Sequence, residues 1–260
     1  MTAIVLDTET TGINPITSRI TEIAIVDYDS GEHLLRSCIN PECPIPPEIT
    51  KITGITDETV ANAPVFAALA GDIAMIISSA EVLIGQNPWF DQRMLVAEFA
   101  RDNVIFIETW PMLICTKRIW DIYEPPTQRH LTNAFKRFVD PAGFPGAHGA
   151  LADTMACRAV LQAQVKTFGL EGKSWDTFDP EQKTWWGPSN HIVWEGGILR
   201  INFGKYKGEP CHAVDRGYWR WLTNQEFPEH VLVMADYMTI VASNIITDSE
   251  LATWAYGVKL

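Results

Sequence analysis

The pattern of apolar and polar positions predicts that the chain opens with strands. Runs of branched apolar residues predict strands at residues 4–6, 19–26, 33–39 and 82–84. The segment Asp29–Gly31 separates the second run from the third and is typical of a hairpin turn. We therefore expect the first three strands to form an antiparallel meander.

Apolar residues at helical spacing predict helices later in the chain. In the first two thirds these helices lie at residues 65–78, from Phe90 onwards, at 131–138, and from the residues after His148 to about Phe168, with a shorter helical turn around 48–54. Strands and helices that follow one another in this way predict an α/β domain.

The composition changes after this long helix. Residues 169–197 contain tryptophan, proline and glycine without a clear period, and predict a connector. A second unit is expected at residues 198–260, with a strand at 198–203 and helices around 218–222 and 231–246. The predicted organisation is thus a domain at residues 1–168, a connector and a small α+β module.

Two acidic residues follow the first apolar run. Asp7 and Glu9 alternate along the predicted strand, so both side chains project from the same face, and Gly12 and Pro15 then break the strand. An Asp-x-Glu pair by itself is more often a solvated strand end than a metal site. A metal site therefore requires further ligands downstream.

Three candidates for such partners occur in order along the chain. Asp91 follows the strand at 82–84 and lies in the first turn of a helix, where an acid also interacts favourably with the helix dipole. His148 and Asp153 are separated by five positions, which is not a same-face helical spacing. We expect His148 in the loop at the helix entrance, where capping is its ordinary explanation, and Asp153 on the second turn, facing the sheet.

Composition limits the class of protein. The chain has 260 residues, 47% of them hydrophobic, which allows a sizeable core. No apolar run is long enough for a membrane span, and no basic leader precedes the first strand, so we expect a cytoplasmic protein without membrane partners. The five cysteines are scattered, without a CxxC pair, and support neither a disulfide framework nor a zinc site.

The net charge is −12. This value argues against broad electrostatic adhesion to nucleic acid, because the phosphate backbone repels a negatively charged surface. A polyanionic partner must be held by local basic patches or by metal ions.

Three motifs in this order resemble those of the DEDDh exonucleases, the proofreading-type 3′–5′ exonuclease superfamily. The resemblance covers residues 1 to about 168, through Asp7–Gly12, Gln86–Asp91 and His148-x-x-x-x-Asp153, with further support from the Ile-Thr-Gly-Ile character of residues 48–56. One departure is Gln86, which stands where many relatives have histidine. Because this position is not a metal-binding acid, we expect it to change local hydrogen bonding more than chemistry.

The resemblance implies an RNase H-like fold, with a mixed central sheet flanked by helices. It also implies two divalent ions, Mg²⁺ or Mn²⁺, that stabilise charge on the attacking and leaving oxygens of a phosphodiester. By the same resemblance Asp7 contributes to both ions, Glu9 and Asp153 mainly to the first, and Asp91 to the second directly or through water. His148 is then the general base.

The C-terminal unit resembles the small module that follows the nuclease domain in the bacterial exonuclease X branch of the family. Its sequence carries Asn202–Gly208, followed by Tyr218-x-x-Trp221-Leu222. Five basic and two acidic residues lie between Arg200 and Arg220, interleaved with aromatic rings, a composition that suits single strands. The alternative is that the aromatic residues, Trp221 included, only form the core of a small module.

Residues beside the acids and in this module are the candidates for nucleic-acid contacts. They are Thr10, Thr11, Gly12, Asn87, Phe90, Lys205, Lys207 and Arg220.

The function expected from the sequence is a metal-dependent 3′–5′ exonuclease that releases nucleoside monophosphates from DNA 3′ ends, single- or double-stranded. Alternatives within the enzyme class are a polymerase-proofreading or an RNA-trimming exonuclease, because the acids can act on either backbone. A further alternative is a nucleic-acid-binding protein that keeps the fold and lacks activity, although the complete set of acids argues against it.

Overall fold

The computed structural model describes residues 2–102, 107, 110–124, 128–187, 189–241 and 246–257. The chain forms two compact units, with the boundary between Phe178 and Asp179. Leu170 and Phe178 belong to the core of the first unit, whereas Trp186 belongs to the core of the second. The two units therefore divide between them the stretch predicted as a connector.

A five-stranded sheet forms the centre of the first unit, in the order β3-β2-β1-β4-β5. The strands are β1 (Ala3–Thr10), β2 (Ile20–Asp27), β3 (His33–Cys38), β4 (Val82–Gly85) and β5 (Met112–Cys115). β1 pairs antiparallel with β2 and parallel with β4, while β2–β3 is antiparallel and β4–β5 parallel. The sheet is mixed, which confirms the predicted fold class and the meander of the first three strands.

Helices occupy both faces of this sheet. They are α1 (Pro47–Thr53), α2 (Asp57–Val60), α3 (Phe66–Ser79), α4 (Pro88–Asp102), α5 (Thr116–Tyr123), α6 (Leu131–Phe138) and α7 (Ala150–Thr167). Val5 of β1 shares a buried cluster with Cys157 and Leu161 of α7. Thr8 hydrogen-bonds to Asp91 of α4. Since alternate residues of a strand face opposite ways, α7 and α4 cover opposite faces of β1.

The apolar pattern predicted most of these elements and missed two. These two elements are β5, a four-residue strand that pairs in parallel with β4, and the eight-residue helix α5.

The second unit has its own core around a two-stranded antiparallel hairpin. Its elements are β6 (Ile192–Glu195), β7 (Ile198–Ile201), α8 (Arg216–Leu222), α9 (Glu229–Ile240) and α10 (Asp248–Gly257). The helix predicted at residues 231–246 corresponds to α9, which ends at Ile240. Residues 242–245 of the predicted helix lie outside the described residues. None of the described helices combines the length and the apolar character that a membrane span requires.

Candidate active site

Asp7 and Glu9 lie on the face of β1 that α7 covers. They occupy odd positions of the strand, as does Val5, and Val5 packs against α7. One carboxylate oxygen from each of Asp7, Glu9 and Asp153 lies within 4.8 Å of the other two. The structure therefore brings together three acids that the sequence separates by more than 140 residues.

Asp153 reaches this cluster from the first turn of α7, not from the second turn as predicted. The chain enters the helix through His148, whose φ is +69°, and through Gly149 as N-cap. The Asp153 Oδ1 atom accepts a hydrogen bond from the backbone N–H of His148 at 3.3 Å. This contact places His148 and Asp153 on the same short turn.

Asp91 approaches from the opposite face, at the start of α4. Its Oδ1 accepts hydrogen bonds from the backbone N–H of Thr8 at 3.0 Å and from the Thr8 hydroxyl at 2.7 Å. Thr8 lies between Asp7 and Glu9, so these bonds hold Asp91 against the strand that carries both acids. After burial, Asp91 is the largest cause of the raised pKa of Asp7.

The acids of this cluster have raised pKa values. Burial raises the pKa of Asp7 well above its ordinary value, and the charges of Asp91, Asp153 and Glu9 raise it further. Burial, followed by the charge of Asp153, raises the pKa of Glu9 to about 7. For Asp91, burial outweighs the two Thr8 hydrogen bonds and raises the pKa to about 7. The pKa of Asp153 is also raised, mainly by burial.

Carboxylates that repel one another in this way suit a divalent cation. The donor set consists of oxygen atoms alone, the type of ligand that Mg²⁺ and Mn²⁺ prefer. The cluster therefore fits a hard divalent metal, with Asp7, Glu9 and Asp153 as candidate ligands and Asp91 beside them.

His148 has an exposed side chain at the edge of this cluster. Among the described residues its imidazole has no hydrogen-bond partner, and its charge is among the influences that lower the pKa of Asp153. The ring is accessible to solvent next to the acids, which is a requirement for a group that exchanges protons with substrate or water.

The candidate nucleic-acid contacts of the first unit differ in their hydrogen bonds and in their exposure to solvent. The hydroxyl of Thr10 donates to the carbonyl of Gly12 at 2.6 Å, and that of Thr11 accepts from the backbone N–H of Arg19 at 2.9 Å. Both hydroxyls thus stabilise the loop after β1. Asn87 is exposed with a φ of +78°, and Phe90 is half-buried.

Gln86 links two segments beside the site. Its side-chain N–H donates to the carbonyl of Arg129 at 3.1 Å, and its oxygen accepts from the hydroxyl of Thr116 at the start of α5. Within the described residues, these hydrogen bonds of Gln86 go to Arg129 and Thr116 and not to any of the four acids.

Two buried acids near the site were missed from the sequence. Glu22 of β2 lies opposite Glu9 in the strand register, and Glu98 of α4 is fully buried. A single glutamate inside an otherwise apolar run was the available signal in both cases, because a buried carboxylate needs hydrogen-bond or ionic partners.

In the second unit, Lys205, Lys207 and Arg220 are exposed. Trp219 is fully buried, but Trp221 is 49% exposed. Trp221 is therefore a surface residue. The alternative that placed all the aromatic residues of this module in its core is wrong for Trp221.

Comparison with known proteins agrees with this geometry. A family model described as an exonuclease, RNase T, matches residues 4–161. The DNA polymerase III subunit epsilon of Haemophilus influenzae is 29% identical over 244 residues, which is 88% of this chain and 87% of that protein.

Two solved structures show the same fold. Exonuclease X in complex with 5′ overhanging duplex DNA is 25% identical, with a TM-score of 0.50, over 68% of this chain and 98% of that chain. Exonuclease I is 16% identical, with a TM-score of 0.62, over 99% of this chain and 76% of that chain.

About a third of this chain lies outside the match to exonuclease X, so the resemblance of the C-terminal module stays a prediction. For the nuclease domain, the family model covers more than half of the chain. The chain belongs to the exonuclease family, within the DEDDh-type 3′–5′ exonuclease superfamily, and is a hydrolase of the nuclease class.

Proposed function

We propose that this protein is a metal-dependent exonuclease that hydrolyses phosphodiester bonds at DNA 3′ ends and releases nucleoside monophosphates. The observation that carries the proposal is the convergence of Asp7, Glu9 and Asp153, whose oxygens lie within 4.8 Å of one another, with Asp91 held against the same strand. Two Mg²⁺ or Mn²⁺ ions at these carboxylates would stabilise negative charge on the attacking and leaving oxygens.

Each residue of the cluster has a defined part in this proposal. Asp7, Glu9 and Asp153 would hold the cations with carboxylate oxygens that are partly buried. Thr8 orients Asp91 through two hydrogen bonds. His148 is the general base: its exposed imidazole takes up a proton from the water that attacks the terminal phosphate.

DNA as the substrate is supported by the relatives. The exonuclease X structure contains duplex DNA, and the Haemophilus relative is a subunit of DNA polymerase III. A proofreading context is the second candidate that this relative favours. RNA stays an alternative, because carboxylates and metal ions act on either backbone.

Digestion of end-labelled substrates tests the proposal. Matched single- and double-stranded DNA and RNA, labelled at the 3′ or the 5′ end, are incubated with Mg²⁺ or with EDTA. Early release of a labelled mononucleotide only from 3′-labelled DNA, and only with Mg²⁺, is expected. Release from the 5′ label first, or undiminished cleavage in EDTA, would reject the assignment.

We also propose that an exposed face of the second unit binds nucleic acid. The ammonium nitrogen of Lys205 lies 4.6 Å from the ring centre of Tyr206 and 5.6 Å from that of Tyr218, and Tyr218 stacks on Trp221 at 5.4 Å. Exposed rings support bases, and adjacent cations hold phosphates.

Three of the five cations between Arg200 and Arg220 are available for such contacts. Arg200 pairs with Glu195, and Arg216 donates to the carbonyl of Thr239. The remaining three, Lys205, Lys207 and Arg220, have no ion pair within the part of the chain that the structure describes.

Replacing Lys205, Lys207 and Arg220 by alanine should weaken binding of long DNA and flatten its salt dependence. Each lost phosphate contact reduces the slope of log K against log salt by about 0.7 to 0.9. Binding is measured at several salt concentrations with an Asp7→Asn background that prevents cleavage. The matched control, alanine at the exposed residues Lys51, Lys166 and Lys173, removes the same charge from the first unit and should leave the slope unchanged. Equal slopes in the two triple variants would exclude the binding role.

A further inference from the structure

Glu22 occupies a position between the candidate ligands and the start of α7. It lies on β2 directly opposite Glu9 of β1, and is only 7% exposed. The charge of Glu22 contributes to the raised pKa of Asp7, of Glu9 and of Asp153, so Glu22 lies close to all three acids. Within the described residues, however, Glu22 does not belong to the group whose oxygens converge as possible metal ligands.

The carboxylate of Glu22 makes one short directional contact. Its Oε2 accepts a hydrogen bond from the backbone N–H of Ala150 at 3.0 Å, across 128 positions of sequence. Arg36 lies farther away, with its Nε at 3.8 Å from Oε1, and its side chain is 59% exposed. The bond to Ala150 is therefore the contact that fixes the carboxylate.

Ala150 is the first residue of α7, and its N–H has no acceptor inside the helix. The N-cap residue, Gly149, has no side chain that could accept this bond. Glu22 supplies from a neighbouring strand an acceptor for one of the N–H groups that the first turn of the helix leaves unpaired. It is thus a helix cap formed by the tertiary structure.

Other hydrogen bonds of this segment come from α7 itself: the His148 N–H donates to Asp153, and the Thr154 hydroxyl donates to the Ala150 carbonyl. A cavity of about 460 Å³ lies on the β3 side of this segment, lined by Glu22, Arg36, Gly146, Gly149 and Met155 among others. Among the described residues, the Ala150 bond is the only side-chain hydrogen bond that reaches residues 146–150 from another strand or helix. Without it, within the described residues, no side-chain hydrogen bond from another strand or helix would hold the segment that borders this pocket.

We propose that Glu22 is a positioning residue for the exonuclease reaction: by holding the N-terminus of α7, it sets where Asp153 and His148 stand relative to the acids of β1. This inference rests on the proposed function. Its physical basis is that displacement of a reacting group by about 1 Å can lower the rate about 100-fold.

Two conservative substitutions separate the hydrogen bond from the charge. Glu22→Gln keeps an oxygen at the same reach and removes the charge, whereas Glu22→Asp keeps the charge and shortens the side chain by one methylene. The proposal expects kcat on a 3′-labelled oligonucleotide to stay within about threefold of wild type in Glu22→Gln and to fall about 10- to 100-fold in Glu22→Asp, with KM little changed in both. Arg36→Ala, which removes only the long ion pair, is the matched control and should behave as wild type.

Two measurements without substrate keep the inference separate from the proposed activity. Deuterium exchange of a peptide covering residues 146–156 should be faster in Glu22→Asp than in Glu22→Gln, since only the first loses the bond to Ala150. Mn²⁺ titration should show weaker binding in Glu22→Asp than in Glu22→Gln, because changes in groups that orient metal ligands typically cost about 10- to 100-fold in affinity.

The opposite order, with Glu22→Gln more impaired than Glu22→Asp in kcat and Mn²⁺ affinity, would mean that the charge matters and would overturn the proposal. Equal and wild-type values in both variants would overturn it as well. If the wild-type protein degrades no nucleic acid, the proposed function fails, and the exchange and Mn²⁺ data still decide whether Glu22 positions α7.

Discussion

Replacement of Asp7 by asparagine is expected to abolish exonuclease turnover and to raise the melting temperature of the metal-free protein. Asp7 is central to the acid cluster, because Asp91, Asp153 and Glu9 all raise its pKa. Loss of a shared metal ligand should lower kcat at least about 1,000-fold, equivalent to about 4 kcal/mol of transition-state stabilisation. Single-turnover assays with saturating Mg²⁺ measure this loss, and near-wild-type rates would contradict the site assignment.

The gain in stability follows from the sign of the pKa shifts. The folded protein binds more protons than the unfolded chain wherever a carboxyl pKa is raised, so stability falls as the pH rises through that interval. For Glu9 this interval runs from its ordinary value of 4.5 to about 7. Above it the acids are charged and repel one another, and an asparagine at position 7 relieves that repulsion.

Melting temperatures at two pH values test the predicted gain in stability of Asp7→Asn. In EDTA, Asp7→Asn should exceed wild type by a few degrees at pH 8 and by much less at pH 5, since about 1 kcal/mol corresponds to about 2–4 °C in a protein of this size. Asp7→Ala should also unfold cooperatively. Mg²⁺ should raise the wild-type melting temperature more than that of either variant, because a ligand that binds only the folded state stabilises it. A lower melting temperature for Asp7→Asn at both pH values would refute the repulsion argument.

Replacement of Glu98 by alanine is expected to produce the largest loss of stability in the first unit. Both oxygens of Glu98 lie 3.0 Å from the Nε of Arg19, and Oε1 also accepts from the backbone N–H of Ile20 at 2.9 Å. Arg101, three positions along α4, lies 3.3 Å from the same carboxylate. Removal of Glu98 leaves the buried N–H of Ile20 without an acceptor and takes from Arg19 and Arg101 their buried partner, and such a loss from a buried ionic network typically costs about 3–5 kcal/mol.

The control is a substitution of Glu42, the second acidic partner of Arg19. Glu42 also pairs with Arg19, at 3.4 Å, but its side chain is 54% exposed. Glu42→Ala should therefore change stability by about 0–1 kcal/mol, as exposed ion pairs do. Urea unfolding followed by circular dichroism compares the two, and equal losses would show that burial does not determine the contribution of Glu98.

The same network has a consequence for the active site. Arg19 and Ile20 end the loop that follows β1, and Glu98 belongs to the helix that carries Asp91. Glu98 thereby ties the loop beside Asp7 and Glu9 to α4. We expect a folded Glu98→Gln variant to lose activity as well as stability, because Glu98 connects the helix that carries Asp91 to the loop after β1.

The spacing of apolar residues predicted those strands and helices that are long enough to show a repeating pattern. The meander of β1 to β3 and the helices α3, α6 and α7 were predicted close to their observed bounds. β5, with four residues, was not, because it depends on pairing with β4. For Trp221 the sequence left two possibilities open, a contact with nucleic acid and a place in the core, and only the structure shows that the residue is 49% exposed.

The sequence by itself predicted the residues of the candidate site, and the structure brings the carboxylates of three of them, Asp7, Glu9 and Asp153, together. Asp7 and Glu9 share a face because a strand alternates, and the order of the motifs through Asp91, His148 and Asp153 indicated the family. These conclusions need only local geometry and the order of residues along the chain.

Only the tertiary structure decided how these residues are held. Thr8 binds Asp91 across 83 positions and Glu22 binds Ala150 across 128, and neither contact leaves a periodic trace in the sequence. The raised pKa values likewise arise from burial and from charges that lie far apart along the chain. Such contacts form when α4 and α7 pack on opposite faces of β1, and they depend on distances in space that the linear order of residues does not contain.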